Sequence, residues 1–181
     1  MKVHLGCYDL IKPGWLNIDI QQVHAESPEF MKWDLRNGLP DVVQDLTMSY
    51  SSHFMEHILW GDAVKLLRDL YNRTVVGGKT RHCIPDFEKL VTKYLAKDWD
   101  FFSHCLSIAP NHQLMEIIGY SIYQRDDGVN AEHVCMYDSE YAIFTLEQAG
   151  FKNCKRVEFN PELDYGFRVP YSFFVEGTRL D

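Results

Sequence analysis

The sequence has no positive charge to spare. Eighteen Lys and Arg stand against 26 Asp and Glu, a formal charge of −8, and no long basic run offsets that balance locally. Affinity for nucleic acid rests largely on neutralising phosphates with Lys and Arg, so a nucleic-acid partner is not expected. An anionic membrane surface is disfavoured for the same reason. No stretch approaches the ~20 apolar residues of a transmembrane helix. No signal peptide is expected either, because residues 3–5 already have the pattern of a strand. The cysteines Cys7, Cys83, Cys105, Cys135 and Cys154 are odd in number and contain no C-x-x-C pair. Reduced, mostly buried thiols and a cytoplasmic setting are the expectation. Repeats, low-complexity tracts and linkers are also absent, so the 181 residues read as one domain.

What is present is core material. Hydrophobic residues make up 46% of the chain, aromatic residues 14% and charged residues 24%, the mix of a globular protein. Short apolar runs bounded by turn signals predict strands over 3–5, 16–20, 30–33, 46–51 and 79–84. Ala63, Leu66, Leu67 and Leu70 recur with helical period and predict a helix over 60–72, stopped by Gly77-Gly78. Pro85 opens a second helix through about residue 95, with Asp86 and Glu88 near its positive end. Residues 98–130 read as an insertion over one end of the sheet, with a helical patch over 112–118. A helix over 139–149 stopped by Gly150, then an antiparallel pair over 152–159 and 171–176, completes an open three-layer α/β sheet. Only about nine residues separate the first two strands, near or below the length of a helical crossover. The N-terminal half is therefore expected to be trimmed, with loops where helices would sit.

Val3-His4-Leu5-Gly6-Cys7 followed by Pro13-Gly14-Trp15-Leu16-Asn17-Ile18-Asp19 resembles the opening of a small class I S-adenosylmethionine-dependent methyltransferase family. That family's pattern is Leu-Gly-Cys-Gly, a short spacer, then Pro-Gly-Trp-x-Asn-x-Asp. The likeness continues through Asp34-Leu35, Leu39-Pro40, Tyr50-Ser51-Ser52-His53 and Glu56-His57. It includes Gly77-Gly78-Lys79, Pro85-Asp86 and Lys89-Leu90, and ends in Leu146-Glu147-Gln148-Ala149-Gly150-Phe151. Each piece alone recurs by chance; as an ordered set they are specific.

The resemblance implies a Rossmann-like sheet, mostly parallel, with a C-terminal antiparallel hairpin. It also implies S-adenosylmethionine as cofactor and methyl transfer to oxygen or nitrogen of a small-molecule or saccharide acceptor. Cofactor contacts are then expected from Leu5, Gly6, Cys7 and Tyr8 after the first strand, and from Asp19 and Ile20 after the second. Asp34 and Leu35 follow the third strand, and Ser52 and His53 end the fourth. Glycine after strand one lets backbone approach a ligand at the carboxyl end of such a sheet. Asp19 could accept hydrogen bonds from both ribose hydroxyls, and Asp34 from an adenine amino group with Leu35 against the ring. Each aspartate alone reads sooner as a turn cap, and the shared register of the motifs reverses that preference. Tyr8 stands where the pattern has its second glycine, and Thr47 where it has an acid. A phenol at that position either crowds the methionine part of the cofactor or packs beside it.

The eight histidines include His53-Phe54-Met55-Glu56-His57, which spells the H-x-x-E-H motif of inverted zinc proteases. That motif needs both histidines on one helical face and a third ligand. The methyltransferase resemblance explains the same letters without a metal, with His57 packed at a helix start. Methyl transfer asks mainly for in-line positioning and removal of a proton from the acceptor. His133 is the first candidate base and His53 the second, with Asp86 placed to orient acceptor or base. Trp99, Tyr120, Tyr123 and Gln124 could wall an acceptor pocket or simply cover the sheet edge. Two alternatives stand beside the enzyme: a chain of this fold with weakened or lost cofactor binding, and a metal hydrolase using His53 and His57. No residue pattern names the acceptor or the oligomeric state.

Overall fold

The structure, a computed structural model, describes residues 1–22, 26–106 and 133–181, and for 104–106 the backbone alone. In chain order the elements are β1 (Lys2–Leu5), β2 (Leu16–Asp19), β3 (Phe30–Lys32), β4 (Leu46–Ser52), α1 (Trp60–Arg73) and β5 (Thr74–Pro85). They continue with α2 (Phe87–Leu95), α3 (Trp99–Leu106), α4 (Ser139–Ala149), β6 (Lys152–Val157) and β7 (Ser172–Thr178). The seven strands form one sheet in the order β3-β2-β1-β4-β5-β7-β6. β1 to β5 run parallel, whereas β7 runs antiparallel to β5 and β6 antiparallel to β7. This is the Rossmann-like α/β sheet with a C-terminal hairpin that the motifs imply. Among the described residues, no helix is long and apolar enough to cross a membrane.

Alternation along the strands divides the core. Val3, Leu5 and Ile18 point to the face where α1 lays Ala63, Leu66, Leu67 and Leu70 and where α4 lays Ala142, Leu146 and Ala149. The i, i+3, i+4, i+7 spacing in α1 puts its four buried residues on one stripe. The opposite face carries Met48, Tyr50, Cys83 and Phe174, and its cover comes from Trp15, Leu163 and Tyr165 in loops. Loop residues thus cover this face of the sheet, as the trimmed N-terminal half predicts. The chain crosses from β1 to its parallel neighbour β2 through residues 6–15, too short for a helix.

Charged groups close that loop-covered face. Arg81, buried on β5, donates from Nε to Asp164 Oδ1 at 2.8 Å and from Nη2 to Asp164 Oδ2. It also donates to Glu176 Oε1 at 2.7 Å and to the Glu158 carbonyl at 2.7 Å. Lys12 lies over the rings of Tyr50 and Tyr165, at 4.3 and 4.5 Å from their centroids, and donates to the Leu163 carbonyl. Cation–π contact and a carbonyl acceptor take the place of water for a half-buried ammonium.

Two boundaries differ from the pattern reading. α1 ends at Arg73 and the β-branched run Thr74-Val75-Val76 starts β5 at once, so Gly77-Gly78 lies inside the strand rather than stopping the helix. Gly77 takes φ +82°, and a Cβ on Gly78 would sit 2.8 Å from the Leu46 carbonyl oxygen, beside the register shift between Leu46 and Met48. The 98–130 stretch begins as a regular helix, α3, with Asp98 Oδ1 accepting from Phe101 N at 3.0 Å. The patch expected over 112–118 lies outside the described residues.

The Arg81 clamp gives a stability prediction. Asp164→Ala leaves a buried guanidinium without its bidentate partner and should destabilise the fold by about 3–5 kcal/mol. Lys65→Ala, which removes only the exposed Lys65–Asp62 pair, should change stability by less than about 1 kcal/mol. Urea denaturation of both variants checks the contrast.

Candidate active site

The chain leaves β1 toward β2 on one side and later returns to β4 on the other, so the strand order reverses between β1 and β4. Side chains at the carboxyl ends of these strands border a crevice at such a point. A cleft of about 500 Å³ opens there, between the turn after β1, the end of β2, the turn after β3 and the end of β4.

One end of the cleft is built around Asp19. Its Oδ2 accepts from Tyr8 N and its Oδ1 from Gln21 N, both at 2.8 Å, so the carboxylate pins the turn after β1 to the end of β2. Tyr8 holds φ +44°, a left-handed conformation that costs a non-glycine residue about 1–2 kcal/mol, and its ring stands half exposed at the cleft wall. Gly6 also has positive φ, and a Cβ there would come within 2.2 Å of Phe54 Cδ2. The close approach that Gly6 permits is therefore to the Phe54 ring. Asp34 caps the turn Leu35–Asn37 through Arg36 N, and its carboxylate pairs with the Arg36 guanidinium at 2.8 Å. Those bonds hold its carboxyl below the usual range.

The other end holds three histidines around Glu56. His53 follows β4 at φ +52°, with Nε2 2.8 Å from Ser172 Oγ and Nδ1 3.2 Å from Arg168 Nη1. Burial, and after it the charge on Arg168, keeps its imidazole well below the ordinary histidine range. Glu56 is 2% exposed, and no hydrogen-bond donor among the described residues reaches either carboxylate oxygen. Burial pushes its carboxyl up to about 8. Glu56 Oε1 lies 3.4 Å from His53 Nδ1 and 4.0 Å from both His57 Nε2 and His133 Nε2. The His57 and His133 rings meet edge to face at 4.8 Å. The Glu56 carbonyl accepts from Val134 N at 2.8 Å and Cys135 N at 3.1 Å, which ties the segment after His133 to the turn Met55–His57.

Gly6, Cys7, Tyr8, Asp19 and Ile20 meet at this cleft, as do Asp34, Leu35, Ser52, His53 and His133. Leu5 does not line it; its side chain is in the core. Asp86 is also outside the lining: it caps α2 by accepting from Lys89 N at 2.9 Å and faces Arg156. Trp99 starts α3 away from the cleft, and Tyr120, Tyr123 and Gln124 lie outside the described residues. His57 packs against His133 but does not start a helix. It ends a 3-10 turn three residues before α1 and borders the cleft, and no helical face joins it to His53 as a zinc-protease motif requires. Arg168 and Phe54 line the cleft without any signal in the sequence pattern. Glu56 had one, its place in the H-x-x-E-H letters.

No protein-family model and no curated protein matches the chain. Solved structures of the same fold do. S-adenosylmethionine-dependent methyltransferase SibL in its apo form superposes with a TM-score of 0.58 at 12% identity over 99% of this chain. A SAM-dependent methyltransferase from Archaeoglobus fulgidus gives 0.55 at 13% identity over 98% of this chain and 85% of its own. Human N-acetylserotonin methyltransferase in complex with SAM gives 0.55 at 12% identity over 98% of this chain. The chain spans 50% of SibL and 47% of the human protein. These likenesses establish a shared fold, the one on which those methyltransferases are built.

Proposed function

We propose that the protein is an S-adenosylmethionine-dependent methyltransferase acting on oxygen or nitrogen of a small-molecule acceptor, with a saccharide among the acceptors that fit. The observation that carries this reading is Asp19, a mostly buried carboxylate at the end of β2 facing the switch-point cleft. Each of its oxygens accepts one backbone N–H, which leaves lone pairs for the paired hydroxyls of a ribose. Ile20, Asp34 and Leu35 border the same end and would receive the adenine, and Tyr8 and Cys7 the amino-acid portion. Bound there, S-adenosylmethionine supplies a methyl group on a sulfonium that leaves as a thioether, so the protein's own task is to align the acceptor and take its proton.

The histidine end of the cleft supplies the proton acceptor. His53 is a positioning residue, because Ser172 and Arg168 occupy its two ring nitrogens. His133, beside Glu56 and His57, is the base for an acceptor lying across the cleft. A second reading rests on its own observation. Phe54 fills the space over Gly6 and Tyr8 crowds the same turn, the arrangement of a chain on this fold whose cofactor binding has weakened.

Variants at two positions test these readings by titration calorimetry with S-adenosylmethionine. Asp19→Ala should weaken binding about tenfold to a hundredfold through loss of charge-assisted hydrogen bonds. It should also lower stability by about 1–3 kcal/mol, because Tyr8 N and Gln21 N lose their acceptor. Asp19→Asn, which keeps one carbonyl oxygen, should recover part of the stability without the affinity. Unchanged affinity in a folded Asp19→Ala protein would remove the basis for this site.

Tyr8→Gly separates the enzyme from the weakened relative. The substitution relieves the left-handed strain while adding unfolded-state entropy, so melting temperature should move little. If the ring packs on the ligand, binding should weaken by about two- to tenfold, the range of a stacking contact. Tighter binding than the parent would favour the second reading.

A further inference from the structure

We infer that Glu56, His57 and His133 form a binding site for a divalent first-row transition cation at the floor of the cleft. One ligand atom from each of the three lies within 4.8 Å of the others. Two are imidazoles and one a carboxylate, the donor set of open catalytic metal sites that keep a position free for substrate. At metal–ligand bonds of about 2.1 Å and a tetrahedral angle, neighbouring ligand atoms stand roughly 3.4 Å apart. The two 4.0 Å separations from Glu56 Oε1 close to that with small side-chain rotations. A second, independent observation points to a ligand: Glu56 is 2% exposed, and among the described residues neither of its oxygens has a hydrogen-bond donor. A buried carboxylate without a partner is costly, and a coordinated cation is one way to satisfy it.

The surroundings suit the site. His53 Nδ1 lies 3.4 Å from Glu56 Oε1 but accepts from Arg168 Nη1, so it gives the carboxylate no proton and leaves that oxygen to a cation. The nearby Arg168 guanidinium is directed at His53 and the Tyr171 hydroxyl, with no hydrogen bond to Glu56. The two backbone bonds from Val134 and Cys135 to the Glu56 carbonyl hold His133 beside the other two ligands without using any ligand atom.

This inference rests on reading the cleft as a methyl-transfer site and refines it. A cation there would take an acceptor hydroxyl at its free position and lower the hydroxyl's pKa. The O–H bond breaks with its electron pair left on oxygen and the proton passing to solvent. His133 then serves as ligand in place of base, and the acceptor atom is oxygen.

The test is cobalt binding to the full chain after treatment with a chelator. Wild-type protein titrated with Co²⁺ should take up one equivalent with visible d–d absorption, displaced by Zn²⁺. His57→Ala and His133→Ala should each weaken binding by more than about a hundredfold, beyond the 10–100-fold cost of losing a supporting hydrogen bond. Glu56→Gln should do the same and guards against misfolding in the histidine variants, whose circular dichroism is compared with wild type. No uptake by folded wild-type protein at millimolar Co²⁺ would overturn the inference, as would binding retained in both histidine variants. Calorimetry with S-adenosylhomocysteine on the chelator-treated protein keeps the two readings apart. S-adenosylhomocysteine binding without cobalt binding sinks the metal site alone, and cobalt binding without it leaves the metal site standing and sinks the methyl-transfer reading.

Discussion

The bidentate contact between Arg81 and Asp164 joins the middle of the sheet to the segment that covers it, and the site depends on that junction. A chain with loops between its first strands has to close the second sheet face with little helix, so buried charge does work that apolar packing does elsewhere. A guanidinium can be buried only if its donors are met, and here Asp164, Glu176 and the Glu158 carbonyl meet them. The segment so anchored runs on to Arg168, Tyr171 and Ser172, the groups around His53. The geometry of the histidine end is thus tied to an ion pair on the far face of the sheet.

The cleft has two chemically different ends held by different means. At the Asp19 end a carboxylate is satisfied by two backbone N–H groups and still has acceptor capacity toward the cleft. At the Glu56 end a carboxylate more deeply buried meets no donor among the described residues. Both ends carry a non-glycine residue in the left-handed region, Tyr8 at one and His53 at the other. Strain of this kind persists only where surrounding contacts over-determine the backbone, and it concentrates at functional sites. The Asp19–Tyr8 bond supplies that constraint at the first end, and the Ser172 and Arg168 contacts at the second.

Legibility followed the range of the interactions. Strands β1 to β4 and the stripe of α1 were readable because alternation and helical period are local. The Gly77-Gly78 pair misled because glycine punctuates chains in several ways, and here the neighbouring β-branched residues and the Leu46 carbonyl decide its use as a strand kink. Asp86 and Asp34 each had a cap reading and a ligand reading. Asp86 is a cap, while Asp34 caps a turn and borders the cleft as well. The contact between His57 and His133 was not readable, because the two lie far apart along the chain.

The sequence by itself determined the strand order's raw material, the place of Gly6, Asp19 and His53 at strand ends, and the absence of helical length between β1 and β2. Those follow from short-range sterics and from the apolar pattern. Only the tertiary structure decided that Phe54 fills the space over Gly6, that Arg168 reaches His53, and that Glu56, His57 and His133 converge. The last depends on two hydrogen bonds from Val134 and Cys135 to one carbonyl. Backbone amides are the same in every residue but proline, so such a bond leaves no letter in the sequence by which it could be read.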